Sequence, residues 1–209
     1  MPRKVKAVGL ALTAALALIA LAASSASATN PRFHSEVAHT SLTGEQEIRN
    51  TFSVNAGTIH CSTATFAGTA AEATTTQLTI APTYNGCKLT TVTLETLEAT
   101  VDMNGCHYLF TPGGQVHLTC PSAPIRVTAP LCTVSVAPQT VEKVDYTNVG
   151  EGTTRSVTVT STATSLTYTQ SSFCPTGGGT FSNGSYAGAV STTCTDTFAN
   201  HAGCWWSTE

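Results

Sequence analysis

The chain predicts an all-β fold, an antiparallel β-sandwich of immunoglobulin-like or jelly-roll type stapled by disulfides. Three observations carry this expectation. From Phe52 onward, β-branched residues alternate with small or polar ones at period two, the pattern of half-buried strands. Turn chemistry recurs at short intervals, at Asn85-Gly86, Asn104-Gly105, Pro112-Gly113-Gly114, Gly150-Glu151-Gly152, Gly177-Gly178-Gly179 and Asn183-Gly184. All eight cysteines follow an export-type leader. Many short strands with frequent turns point to a sandwich or a barrel, and we expect the sandwich.

The leader comes first. Arg3, Lys4 and Lys6 precede an apolar run from Ala7 to Ala23, and Ala26-Ser27-Ala28 ends in a small-residue site before Thr29. This is the charged, apolar and A-x-A arrangement of a cleaved signal peptide over residues 1–28. Its alanine-rich run and small-residue exit argue against a retained anchor, and no later apolar run is long enough to cross a bilayer. Export implies an oxidising compartment, where Cys61, Cys87, Cys106, Cys120, Cys132, Cys174, Cys194 and Cys204 are read as four disulfides. The expected localisation is secreted, outside the cell.

Cleavage leaves 181 of the 209 residues and removes three of nine basic residues, so six face twelve acidic ones, a net charge of −6. That balance makes nucleic acid and anionic membrane poor partners, since both reward a basic surface. Charged residues are 10% of the chain, against roughly a quarter in an ordinary soluble domain, and Thr and Ser take the polar positions.

Strands follow in order. Thr76–Ile80, Lys88–Leu94, Ile125–Thr128, Thr133–Val136 and Ser156–Thr160 alternate cleanly. Val92 and Leu94 fall on even positions while Leu97, Ala99 and Val101 fall on odd ones, so a bulge or tight turn is required near Glu95-Thr96. A hairpin is expected from Cys106–Phe110 to Gln115–Cys120. Its apolar face holds Cys106, Tyr108, Phe110, Val116, Leu118 and Cys120, with His107, Leu109, His117 and Thr119 opposite. Cys61–Cys87 and Cys106–Cys120 are plausible bridges, with Cys120–Cys132 a rival, and connectivity stays open. Residues 29–170 are expected to form the main domain and 171–209 a Gly/Ser-rich hairpin or tail with its own cysteines.

The order Gly57-x-Ile59-x-Cys61, Phe66-x-Gly68-Thr69, Tyr84-x-Gly86-Cys87, Gly105-Cys106-x-Tyr108-x-Phe110, Cys120-Pro121, Cys132 and Pro138-Gln139 resembles a group of secreted, cysteine-containing all-β bacterial proteins. These carry signal peptides and have no assigned activity. The resemblance spans about Phe33–Gln170 and rests on turns and cysteines, so it implies export and fold and brings no catalytic residue.

Candidate chemistry is sparse. His107 and His117 sit as diagonal neighbours on the outer hairpin face, about 7–8 Å apart, and form a weak metal candidate because zinc needs at least three protein ligands. Glu95, Glu98 and Asp102 supply the carboxylates of a hydrolase without the placement that would make them one. No G-x-S-x-G or H-E-x-x-H motif is present. Trp205 and Trp206, beside Cys204 with Tyr186 and Phe198 nearby, offer either an exposed contact surface or a buried seal. No catalytic residue and no cofactor is expected. The function expected is that of a secreted, non-catalytic structural or binding protein with an extracellular ligand or envelope component as partner; the alternatives are a secreted hydrolase and a disulfide-rich inhibitor or effector.

Overall fold

The structure, a computed structural model, describes residues 31–111, 114–141 and 144–207; the leader, its cleavage site and Pro112-Gly113 lie outside the described residues. The strands are β1 (Arg32–Ser35), β2 (Thr40–Val54), β3 (Gly57–Ala70), β4 (Thr74–Thr75), β5 (Leu78–Thr91), β6 (Thr96–Asp102), β7 (His107–Phe110), β8 (Val116–Thr119), β9 (Ile125–Ala129), β10 (Cys132–Val136), β11 (Gln139–Val141), β12 (Val144–Val149), β13 (Ser156–Gln170), β14 (Gly179–Thr195) and β15 (Cys204–Ser207).

The expected sandwich is corrected to a barrel. Eight antiparallel strands run β5-β3-β2-β14-β13-β10-β9-β6, and β6 pairs back onto β5 through Cys87↔Ala99, Lys88↔Glu98, Leu89↔Leu97 and Thr90↔Thr96. The physical reason is the length of β5. Its 14 residues pair β6 near one end, at 87–90, and β7 near the other, at 78–80, so the edge a sandwich would leave open is consumed. Alternation cannot distinguish the two folds, because each puts every second side chain on one interior face.

Five long strands, β2, β3, β5, β13 and β14, form the tall wall. Beyond the closed ring, β7, β8 and β11 continue the sheet from β5, and β12 pairs β13. The Gln139 side-chain amide spans the gap as a backbone unit would: its Nε2 donates to Thr167 O at 2.9 Å and its Oε1 accepts from Thr167 N at 2.9 Å. The segment after residue 170 supplies β14, which is hydrogen-bonded to β13 on one side and β2 on the other. A small sheet, β15-β1-β4, lies over the other part of the core. Asn148 fastens it to β12, its Nδ2 donating to Trp206 O and its Oδ1 accepting from Trp206 N, both at 2.8 Å.

The expected hairpin forms with the expected register, His107↔Thr119, Tyr108↔Leu118, Leu109↔His117 and Phe110↔Val116. The parity change after Thr93 is a tight turn: β5 ends at Thr91, Leu94 takes a left-handed φ of 66° and is exposed, and Thr90 pairs Thr96. Two Asn-Gly pairs read as turns lie instead inside strands. Gly86 in β5 has φ 57°, and a Cβ there would strike Ser62 Oγ across the ladder, so glycine bends the strand without ending it. Gly184 sits in β14 opposite Leu166, where the register shifts.

Four disulfides join Cys61–Cys87, Cys106–Cys120, Cys132–Cys174 and Cys194–Cys204, leaving no free cysteine among the described residues. Of the bridges weighed, Cys61–Cys87 and Cys106–Cys120 form; Cys120–Cys132 does not, because Cys132 opens β10 and faces Cys174 just beyond β13. Bridges of this number belong to an oxidising environment.

Candidate functional site

The barrel interior is filled unevenly. At the end closed by β6, β9 and β10, Leu89, Val134, Tyr168, Cys87 and Cys174 pack into one cluster of buried side chains. Tyr168 is 1% exposed and its hydroxyl has two partners, donating to Asn183 Oδ1 at 3.0 Å and accepting from Asn55 N at 2.7 Å. That end is solid.

Between this cluster and the small sheet lies a partly open cavity of about 190 Å³. Its walls are Phe, Leu, Ile and Val side chains drawn from both core clusters, including Phe66, Leu78, Ile80, Leu118, Ile125 and Val190. No Asp, Glu, Lys, Arg or His lines it among the described residues. Alternation explains the apolar wall, since every second residue of each strand faces in. Gly44 adds room: a Cβ there would press on Val190 and Phe66.

Gln139, Ser161 and Thr192 also line the wall, but its buried tyrosine hydroxyls gather at two places. At the first, Tyr84 and Tyr108 hydroxyls bond at 3.0 Å, and Tyr186 donates its hydroxyl to Asn50 Oδ1. Asn50 keeps the inward parity of Leu42, Gly44 and Phe52 across the stretch where β2 slips register between Glu45 and Thr51. Gln46 Oε1 holds that bulge, accepting from Asn50 N at 3.0 Å and from Asn50 Nδ2 at 2.9 Å. Gly188 on β14 completes the fit, since a Cβ there would collide with Asn50 Oδ1. Burial pushes the Tyr84 phenol well above its ordinary range, with the neighbouring Tyr108 and Tyr186 oxygens adding to the effect. Burial likewise raises Tyr108, against a lowering hydrogen bond from Tyr84. Tyr186 is raised by burial first and by Tyr108 second. All three therefore serve as neutral hydrogen-bonding groups.

The second place is Tyr146 on β12. Its ring stacks on Trp206 with centroids 4.0 Å apart and meets Phe110 edge-on at 6.5 Å. Phe33 faces Trp206 across the β1–β15 ladder, and both line the cavity. These aromatics make the wall beneath the small sheet, and Cys194–Cys204 ties that sheet to β14. Burial raises the Tyr146 phenol, yet its buried hydroxyl has no hydrogen-bond partner among the described residues.

The residues singled out from sequence are placed as follows. Trp205 and Trp206 part company by strand alternation. Trp206 faces the cavity. Trp205 faces outward, stacked on His34 at 5.2 Å with the Arg155 guanidinium 4.8 Å from its ring centre. His107 and His117 lie on the outer hairpin face, where His117 Nδ1 bonds Thr140 Oγ1 at 2.9 Å. The described residues contain no group of three or more His, Cys, Asp or Glu placed to hold a metal. Glu98 and Asp102 point outward; Glu98 pairs with Lys88 at 3.2 Å, and Asp102 Oδ1 accepts from Asn104 N at 2.9 Å. All eight cysteines are in bridges. The cavity tyrosines and Asn50 were not singled out as a site from sequence. The legible signal was the apolar hairpin face holding Tyr108 and Phe110; the Asn50 bulge leaves none. The chain matches no protein-family model, no curated protein and no solved structure.

Proposed function

We propose that this protein is exported and works outside the cytoplasm as a non-catalytic binding protein that encloses a small, neutral, apolar molecule in its barrel. The single observation behind this reading is the 190 Å³ apolar cavity. An eight-stranded barrel is just wide enough either to be filled by its own side chains or to hold one small ligand. A fully packed core leaves few voids larger than a water molecule, and an apolar cavity of comparable size takes up small hydrocarbons. Four bridges suit the extracellular setting, because they keep the barrel shut without relying on a densely filled interior.

The test is thermal unfolding of the mature protein, residues 29–209, with and without benzene. Benzene at ten times its dissociation constant adds about 1.4 kcal/mol by mass action, which raises Tm by roughly 3–6 °C for a chain of this size. An unchanged or lowered Tm at benzene saturation overturns the reading.

A further inference from the structure

The polar groups of the cavity are unequally satisfied, and the inequality points to the kind of ligand. Tyr84 and Tyr108 are bonded to each other, and Tyr186 is bonded to Asn50. The Gln139 amide is committed to the backbone of Ala137 and Thr167. Tyr146 differs: it lines the cavity, its hydroxyl oxygen is buried, and it lacks a partner among the described residues. A buried hydroxyl left unbonded costs free energy comparable to a lost hydrogen bond, and native proteins rarely keep one without use. The ring itself is held firmly, stacked on Trp206 and edge-on to Phe110, so the hydroxyl is presented from a fixed position.

We infer that the enclosed ligand carries one neutral hydrogen-bond-accepting oxygen, of carbonyl, ether or alcohol type, which takes the Tyr146 hydroxyl as its donor. This rests on the proposal that the cavity encloses an apolar molecule. The oxygen is neutral because no charged side chain lines the wall, and an ionised group buried without a partner is strongly disfavoured. One acceptor suffices, since Tyr146 is the lining hydroxyl that is both buried and unbonded among the described residues. The rest of the molecule is hydrocarbon, matched to the Phe, Leu, Ile and Val walls.

The experiment compares two probes of the same shape, acetophenone and α-methylstyrene, which differ by a carbonyl oxygen in place of a methylidene group. Affinities are measured calorimetrically for the mature wild-type protein and for Tyr146→Phe, which keeps the aromatic stack. The expected result is that acetophenone loses about tenfold in affinity in the variant, because its oxygen is then buried unbonded, while α-methylstyrene binds as before or slightly better. The carbonyl stretch of bound acetophenone is expected at lower frequency in wild type and to return upward in Tyr146→Phe. Equal effects on both probes, or no loss for acetophenone, overturn the assignment of Tyr146 while leaving the enclosing cavity standing. Binding of neither probe to wild type removes both.

Discussion

The two ends of this barrel treat the same residue type in opposite ways. At the packed end Tyr168 is sealed among Phe52, Phe181 and Leu89, and its hydroxyl both donates and accepts. Beneath the small sheet Tyr146 lines an open volume with its hydroxyl unbonded among the described residues. Both tyrosines sit on strands of the same sheet. What separates them is whether the neighbours fill the space and complete the hydrogen bonds. Where they do, a buried tyrosine specifies one packing arrangement; where they do not, it is free to meet a ligand.

Alkaline pH is expected to have the largest effect, and it acts on the cavity half. Tyr84, Tyr108, Tyr146 and Tyr186 all have phenols raised by burial. A raised folded pKa means that the fold favours the neutral phenol. Its contribution is fully present below the unfolded value of about 10 and is lost as pH rises from there towards the folded values. Stability should therefore fall steeply above about pH 10. Tyrosinate absorbance from these four residues should rise together with loss of β-sheet circular dichroism; four phenols ionising in an intact barrel would break the comparison.

Bridges come next. Cys132–Cys174 closes a separation of 42 residues at the packed end and Cys194–Cys204 one of 10 beside the small sheet. Loop-closure entropy predicts losses of about 4 and about 3 kcal/mol when each pair is replaced by alanine, measured by urea unfolding. Ligand affinity should respond in the reverse order, because the shorter bridge holds the wall that carries Trp206. Core truncation sharpens the contrast further: Leu89→Ala should cost about 3–4 kcal/mol and Leu78→Ala about 2, since Leu78 already borders open space and forfeits fewer packing contacts.

The smallest effects come from removing single hydroxyls. Tyr168→Phe strands the Asn55 N–H and should cost about 1–3 kcal/mol. Tyr146→Phe should be neutral within about 0.5 kcal/mol or slightly stabilising, because it deletes an unbonded group. Similar losses in both variants, by urea unfolding, would erase the distinction between the two ends.

The sequence was most readable where structure is local. The 107–119 hairpin, its register and its apolar face follow from alternation and a short loop, and the parity change after Thr93 announced a turn. Barrel closure was not readable, because the deciding contact is Leu89↔Leu97 continuing into Val101↔Val127, and alternation looks identical in a sandwich. In β14, Gly184 and Gly188 mimic loop composition, yet each is needed for close approach, to Leu166 and to Asn50. Asn50 shares the even parity of the interior Leu42 and Phe52, but exposed Ile48 breaks that pattern between them, so alternation alone does not mark Asn50 as interior. The Trp205-Trp206 pair was noticed, but only the β1–β15 register decides which ring faces the cavity.

Isoleucine methyl NMR of residues 29–209 during titration with α-methylstyrene tests the enclosing cavity most directly. Ile59, Ile80 and Ile125 line the cavity, and Ile48 is 61% exposed on the outside. Enclosure predicts that the three interior methyls shift together along one saturable curve while Ile48 stays still. No interior shift at probe saturation, or a response centred on Ile48, would contradict it.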